Sequence, residues 1–313
     1  MGKRCTAYAL VRHIECDEEE LTFQEFRLWK VSTPGLVRDA QRSLPGSPIQ
    51  LASDWVYERH YDDVPDNFGS IPFDVLDTLF ILRLFRPGEI SFVRHTVQDE
   101  DGTIAQQWPQ RTMTEMYAPY SRYYVLHAQD CRAFDSFSSD VCGAQAWRSA
   151  WFNTARRFFL YGSAKELEVD FGVVDRIVDY MIALEAALVP EQDFVGRRLR
   201  ERAVALIQET AEAKSILSKL YEVRSTIVHG STLSKKHSQI LKDHLGTFEL
   251  WVRKLLVQAV KTLCVQETEK TAQLKRIYDI SDSDRVERLR QSVHEIQNES
   301  LKAALVSCLA ASQ

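Results

Sequence analysis

The sequence predicts an α+β protein: a β-rich N-terminal domain over residues 1–130, an all-helical bundle over 131–266 and a helical C-terminal extension over 267–313. Two observations predict it. Before residue 130 the apolar residues come in short alternating or aromatic runs between clusters of Pro, Gly, Ser and Asp; after residue 140 they recur at helical spacing. Charge changes sign at the same place: residues 1–130 carry 13 basic and 20 acidic side chains, residues 131–266 carry 19 and 16, and the remainder 7 and 8. Hydrophobic residues make up 45% and charged residues 27% of the chain, a balance that excludes wholesale disorder.

In the first domain, Thr22-Phe-Gln-Glu-Phe-Arg-Leu-Trp-Lys-Val31 mixes alternation with aromatics and predicts one half-buried strand. Thr33 to Asp77 is rich in Pro, Gly, Ser and Asp and predicts loop with short elements. Leu79–Phe85 and Ile90–His95 flank Arg86-Pro-Gly-Glu89, which predicts a hairpin on a Pro-Gly turn, and a second hairpin follows through Asp101-Gly102. The tyrosines 117, 120, 123 and 124 suit a β-domain core better than a base-stacking surface.

The second domain predicts five helices. The first spans Ala144–Leu160, with apolar residues at 147, 151, 155, 158 and 159. The next spans Asp170–Val189 and is ended by Pro190. Phe194–Gln208, Ala211–His229 and His237–Gln266 follow, and two further helices are expected in the tail. Short connections between core-facing stripes predict an antiparallel bundle.

No apolar run is long enough for a membrane span: the best, Tyr180–Val189, carries Glu185 in its middle. The basic N-terminus lacks an apolar segment after it, so secretion is not expected. The cysteines (5, 16, 131, 142, 264, 308) contain no Cys-x-x-Cys pair and fit reduced thiols in a cytoplasm. His60, His95 and His127 have no ligand spacing, so neither metal nor cofactor is expected. A Gly-rich phosphate loop and a Gly-x-Ser-x-Gly elbow are also absent, which makes NTPase and serine hydrolase readings poor.

The chemistry concentrates in Tyr221-Glu-Val-Arg-Ser-Thr-Ile-Val-His-Gly230. Gly230 suits the left-handed position that stops a helix, which puts His229 in the last turn, where carbonyls favour a cation. Arg224 keeps its proton and offers a fixed donor fork to a phosphate. One group that exchanges protons and one that holds an anion are the minimum for cleaving RNA without a metal, because the 2′-hydroxyl is the nucleophile. Five residues correspond to about 140° of rotation, so Arg224 and His229 do not face one point from a straight helix. A site shared between two copies of the chain resolves this. Glu185, among apolar neighbours, needs a cationic partner, either Arg202 or Arg224. Arg197, Arg198 and Arg200 belong to the densest basic cluster, suited to RNA backbone contacts or to a solvated helix face.

This segment resembles the signature of HEPN domains, an arginine followed a few residues later by a histidine at the end of a helix. With Arg156-Arg-Phe158, the run Asp175–Pro190 and Leu199-Arg-Glu-Arg-Ala203, the chain over roughly 140–265 is similar to the ApeA-like HEPN family. The resemblance implies a helical domain that dimerises and cuts RNA without metal, leaving a 2′,3′-cyclic phosphate and a 5′-hydroxyl. It makes Arg224 and His229 the catalytic pair, supported by Ser225, which stands where many members carry Asn, Asp or His. The partners it implies are an RNA substrate, a second copy of the chain, and a regulatory protein or phage-derived trigger. The implied setting is anti-phage defence, abortive infection or a toxin. A non-catalytic sensor or scaffold, and a toxin half controlled by a separate partner, are the other readings.

Overall fold

Residues Lys3–Arg12 (β1) form the strand on which the N-terminal sheet is built. The computed structural model describes residues 3–47, 49–64, 71–108, 123–164, 170–207 and 211–279, and position 303. After β1 come β2 (Ile14–Glu15), β3 (Glu20–Thr22), β4 (Arg27–Lys30), β5 (Trp55–Val64), β6 (Ser91–Asp99), β7 (Ile104–Trp108) and β8 (Tyr124–Val125). Six of them make an antiparallel sheet in the order β3-β4-β5-β1-β6-β7, and β2 pairs with β8 in parallel. The molecule is therefore α+β with an N-terminal β domain.

Alternation along the strands divides the sheet's two faces. One packs under α1 (Pro34–Ser43) around Leu10, Val31, Ala40, Leu44, Val56 and Val93. Thr33 caps α1 by accepting from the Leu36 amide, and Pro34 opens it. The opposite face carries Tyr57, whose hydroxyl meets Thr78 of α2 (Ile71–Phe85).

Three expectations for this domain are corrected. Leu79–Phe85 is not a hairpin strand but the end of α2. Val75, Leu79, Phe80, Ile81, Leu82 and Leu84 are buried around most of that helix, so its apolar run shows no period. Thr22–Val31 does not run as one strand: it turns back between β3 and β4, with the Phe23 amide donating to the Phe26 carbonyl and the two rings stacked at 4.3 Å. The segment from 33 to 77, expected as loop with short elements, holds the ten-residue helix α1, the ten-residue strand β5 and the start of α2. The hairpin through Asp101-Gly102 is present, joining β6 to β7. Tyr124 is buried and donates to the Leu82 carbonyl, whereas Tyr117 and Tyr120 lie outside the described residues.

The chain divides into two compact units, the first closing at Ser139 and the second opening at Asp140, a division inside α3 (Asp130–Cys142). In the first unit Phe134 of α3 meets Phe23, Phe26 and Phe85 edge-on.

The second unit is helical: α4 (Ala150–Ser163), α5 (Asp170–Leu188), α6 (Val195–Ile207), α7 (Ala211–Val228), α8 (Lys235–Thr262) and α9 (Glu267–Asp279). A 3₁₀ turn, Gln145–Arg148, precedes α4, whose N-terminus Ser149 caps. α5 touches α4, α6, α7 and α8, and α6 touches α9. Tyr180, Met181, Leu184 and Leu188 of α5 and Phe248, Val252, Leu255 and Leu256 of α8 are fully buried. α8 opens on a capping box, with Ser234 and His237 each serving the other's amide. Of the two tail helices expected, α9 is one; the segment of the other lies outside the described residues apart from Ala303. Among the described residues no helix is long and apolar enough to cross a membrane.

Candidate functional site

The end of α7 is built as its glycine requires. Gly230 adopts φ +72°, its amide donates to Ile227 O (2.9 Å), and the Ser231 amide reaches back to Thr226 O (3.0 Å). These paired bonds are a Schellman turn, which satisfies carbonyls that the helix end would leave open. His229 follows the last helical residue and is exposed.

His229 lines an open depression of about 470 Å³ with Arg200, Ser218, Tyr221, Ser225, Thr226 and their neighbours. Glu222 lines it too, so a cation, a histidine, a carboxylate and a set of hydroxyls converge there. Arg200 comes from α6 and the rest of these from α7 and its end.

Arg224 does not line this depression. It points at α5, where its Nη2 donates to Glu185 Oε2 at 3.0 Å. Its guanidinium also lies over the Tyr221 ring, 5.7 Å from the centroid. The contact is single-pronged: Glu185 Oε1 and Arg224 Nε are buried without a hydrogen bond among the described residues. Burial raises the Glu185 pKa, and the Arg224 charge and Tyr221 hydroxyl oppose the rise. The rotation of five residues thus separates the two signature residues within one chain, as the helix geometry requires.

Of the two partners considered for Glu185, the structure uses Arg224. Arg202 is fully buried elsewhere: it forks onto Glu191 with two bonds of 2.7 Å and donates to Leu188 O and Leu274 O. Burial alone would raise Glu191, but the Arg202 bonds and charge hold it below its ordinary value. Arg202 therefore ties the end of α5 to α6 and α9 and is not part of the depression. The basic cluster also splits. Arg198 pairs with Glu191 (3.0 Å) and Asp193 (3.3 Å), Arg197 is exposed on α6, and Arg200 reaches the depression.

Tyr221 was not singled out from the sequence, yet it joins the two halves of this region: it touches the Glu185–Arg224 pair and lines the depression. Its place three residues before Arg224, on the same side of the helix, is the signal that could have found it. The ring sits against Gly196 of α6, where a Cβ would stand 2.4 Å from Tyr221 Cε1. Only glycine allows that approach.

Comparison of the chain with protein-family models, curated proteins and solved structures returned no match.

Proposed function

We propose that the helical unit is a metal-independent endoribonuclease of the HEPN type, acting as a homodimer. The observation that carries this reading is the placement of His229, exposed at a Schellman-terminated helix end in an open depression that also holds Arg200 and Ser225. A polynucleotide can approach such an imidazole.

In this reading the 2′-hydroxyl of the RNA attacks the adjacent phosphorus and the bond to the 5′-oxygen breaks. The products are a 2′,3′-cyclic phosphate and a 5′-hydroxyl. His229 exchanges the proton, and a guanidinium fork stabilises the phosphorane charge. Arg224 of one copy serves His229 of the other, since one chain directs the two side chains to different places. Glu185 acts as a positioning residue that sets the Arg224 fork. In a cell the activity would suit a cytoplasmic effector of anti-phage defence or a toxin, held in check by a protein partner or released by a phage-derived trigger.

The test is RNA cleavage in EDTA by the intact chain and by Arg224→Ala and His229→Ala. Each substitution is expected to lower the rate by about 10²-fold or more. Mixing the two inactive variants should restore roughly a quarter of the activity, because half of the dimers formed then carry one intact shared site. EDTA-sensitive cleavage, or unchanged cleavage by both variants, removes the mechanism, and no recovery on mixing removes the shared site.

The second reading is a non-catalytic sensor or scaffold module. The Glu185–Arg224 ion pair favours it, since it occupies one edge of the guanidinium. No cleavage by a folded, dimeric protein would select it.

A further inference from the structure

One face of the N-terminal sheet carries a hydroxyl, an imidazole and a carboxylate in series. The strand register sets them side by side. Thr6 of β1 stands opposite His60 of β5, and Glu58, two residues before His60 and so on the same face, stands between Tyr8 of β1 and Arg27 of β4. Thr6 Oγ1 lies 2.9 Å from His60 Nδ1, and His60 Nε2 lies 3.2 Å from Glu58 Oε1. The carboxylate is buried and fixed: Arg27 Nη2 donates to both of its oxygens at 3.0 Å, and the Trp29 indole donates to Oε2 at 3.0 Å. A carboxylate only accepts, so the ring nitrogen that faces it carries the hydrogen. In the neutral ring Nδ1 then holds a lone pair, and the Thr6 hydroxyl is the donor to it. The series therefore has the order of a nucleophile, a general base and the group that orients the base, an arrangement recognised by geometry on any fold.

We propose that Thr6 is an acyl-accepting nucleophile and that this sheet face cleaves small neutral carboxylic esters. Thr6 Oγ1 attacks the ester carbonyl carbon while its proton passes to His60 Nδ1. The tetrahedral intermediate then expels the alkoxide, which takes that proton and leaves as the alcohol. Water, giving a proton to the same nitrogen, attacks the acyl-Thr6 carbonyl; the bond to Oγ1 breaks, Thr6 recovers the proton and the acid leaves. Tyr8, whose hydroxyl is in contact with the side chains of Thr6 and Ser43, offers a donor to the oxygen that takes up charge. Glu58 is a positioning residue that fixes the imidazole tautomer. The His60 side chain is 72% exposed and Thr6 half-buried, so a small ester reaches both. The charges nearby select a neutral substrate. Arg27 is committed to Glu58 and Glu20 and Arg4 to Asp62, while residues 1–130 hold more acidic than basic side chains.

The test uses the full chain and p-nitrophenyl acetate, with release of p-nitrophenolate and mass spectrometry of the tryptic peptide Cys5–Arg12 as readouts. A burst of p-nitrophenolate and a hydroxylamine-labile acetyl group mapped to Thr6 are expected. Thr6→Val keeps the branched shape that suits a strand and should abolish that acetyl group, while Thr6→Ser should retain it. His60→Gln replaces an exposed side chain and should slow acylation of Thr6 about 10²-fold. Glu58→Gln should lower kcat with KM unchanged, which a purely structural role would not do. Three outcomes overturn the inference: acetyl groups confined to lysines, p-nitrophenolate release unchanged in Thr6→Val, or acylation of Thr6 undiminished in His60→Gln.

Discussion

Two of the arginine–glutamate pairs of the helical unit differ in how the guanidinium is used. At the junction of α5, α6 and α9, Arg202 is buried and forks onto Glu191, with two further bonds to main-chain carbonyls. At the α5–α7 seam, Arg224 makes one bond to Glu185, leaves its Nε unbonded among the described residues, and borders the depression through Tyr221. A buried charge with its donors satisfied holds elements together, and its loss leaves an uncompensated partner. A single-pronged pair leaves part of the guanidinium without a carboxylate bond. The comparison separates an arginine forked onto its carboxylate from one bonded to its carboxylate by a single nitrogen.

The largest effect should come from breaking the first pair. Arg202→Ala is expected to cost about 3–5 kcal/mol, read from denaturant unfolding followed by helical circular dichroism. Arg224→Ala leaves the Glu185 carboxylate without its cation and should cost about 1–3 kcal/mol in the same measurement, and under the ribonuclease reading it lowers cleavage about 10²-fold or more. Equal destabilisation by both would erase the distinction. Next is the seam itself: Gly196→Ala drives a methyl into the Tyr221 ring and should cost about 1–3 kcal/mol, with much of the loss recovered in Gly196→Ala combined with Tyr221→Ala. Gly230→Ala meets no atom within 4 Å, so only its φ of +72° opposes it, and about 1 kcal/mol is expected from thermal melts.

The smallest effect distinguishes the two carboxylates by pH. Glu191 has a depressed pKa when folded, so its contribution is complete above the ordinary carboxylate value and fades as pH falls through the folded one. Glu185 has a raised pKa, so the folded state binds its proton more tightly and loses relative stability as pH climbs above about 4.3 toward the raised value. Against Glu191→Gln, the parent chain should gain stability with rising pH at the acid end; against Glu185→Gln, it should lose stability through the next interval. Parallel profiles would mean that the two environments are equivalent.

Legibility followed the period of the side chains. α5, α6 and α7 lie close to the limits that their stripes and the flanking Pro190 and Gly230 imply, because each has one buried side and clear stops. The end of α2, Leu79–Phe85, reads as strand in the sequence because burial on nearly all sides removes the helical period. β5 was missed because its polar members do not mark solvent: Glu58 is buried, held by Arg27 and by the indole of Trp29. At the site, helix rotation already separates Arg224 from His229. The sequence could not decide which arginine Glu185 takes, since that depends on Arg202 being claimed by Glu191 across a turn.

The placement of β1 has a consequence for how the molecule is made. It lies inside the sheet, bonded along its length to β5 on one side and β6 on the other, and both are encoded much later. During synthesis the edge of β1 that takes β6 must therefore wait, unpaired, until Asp99 has cleared the ribosome. Such long-range closure is slow and exposes the nascent strand to association with other chains. A ribosome-bound chain that stops before β6 should be captured by chaperones, and one that extends past β7 should be released from them.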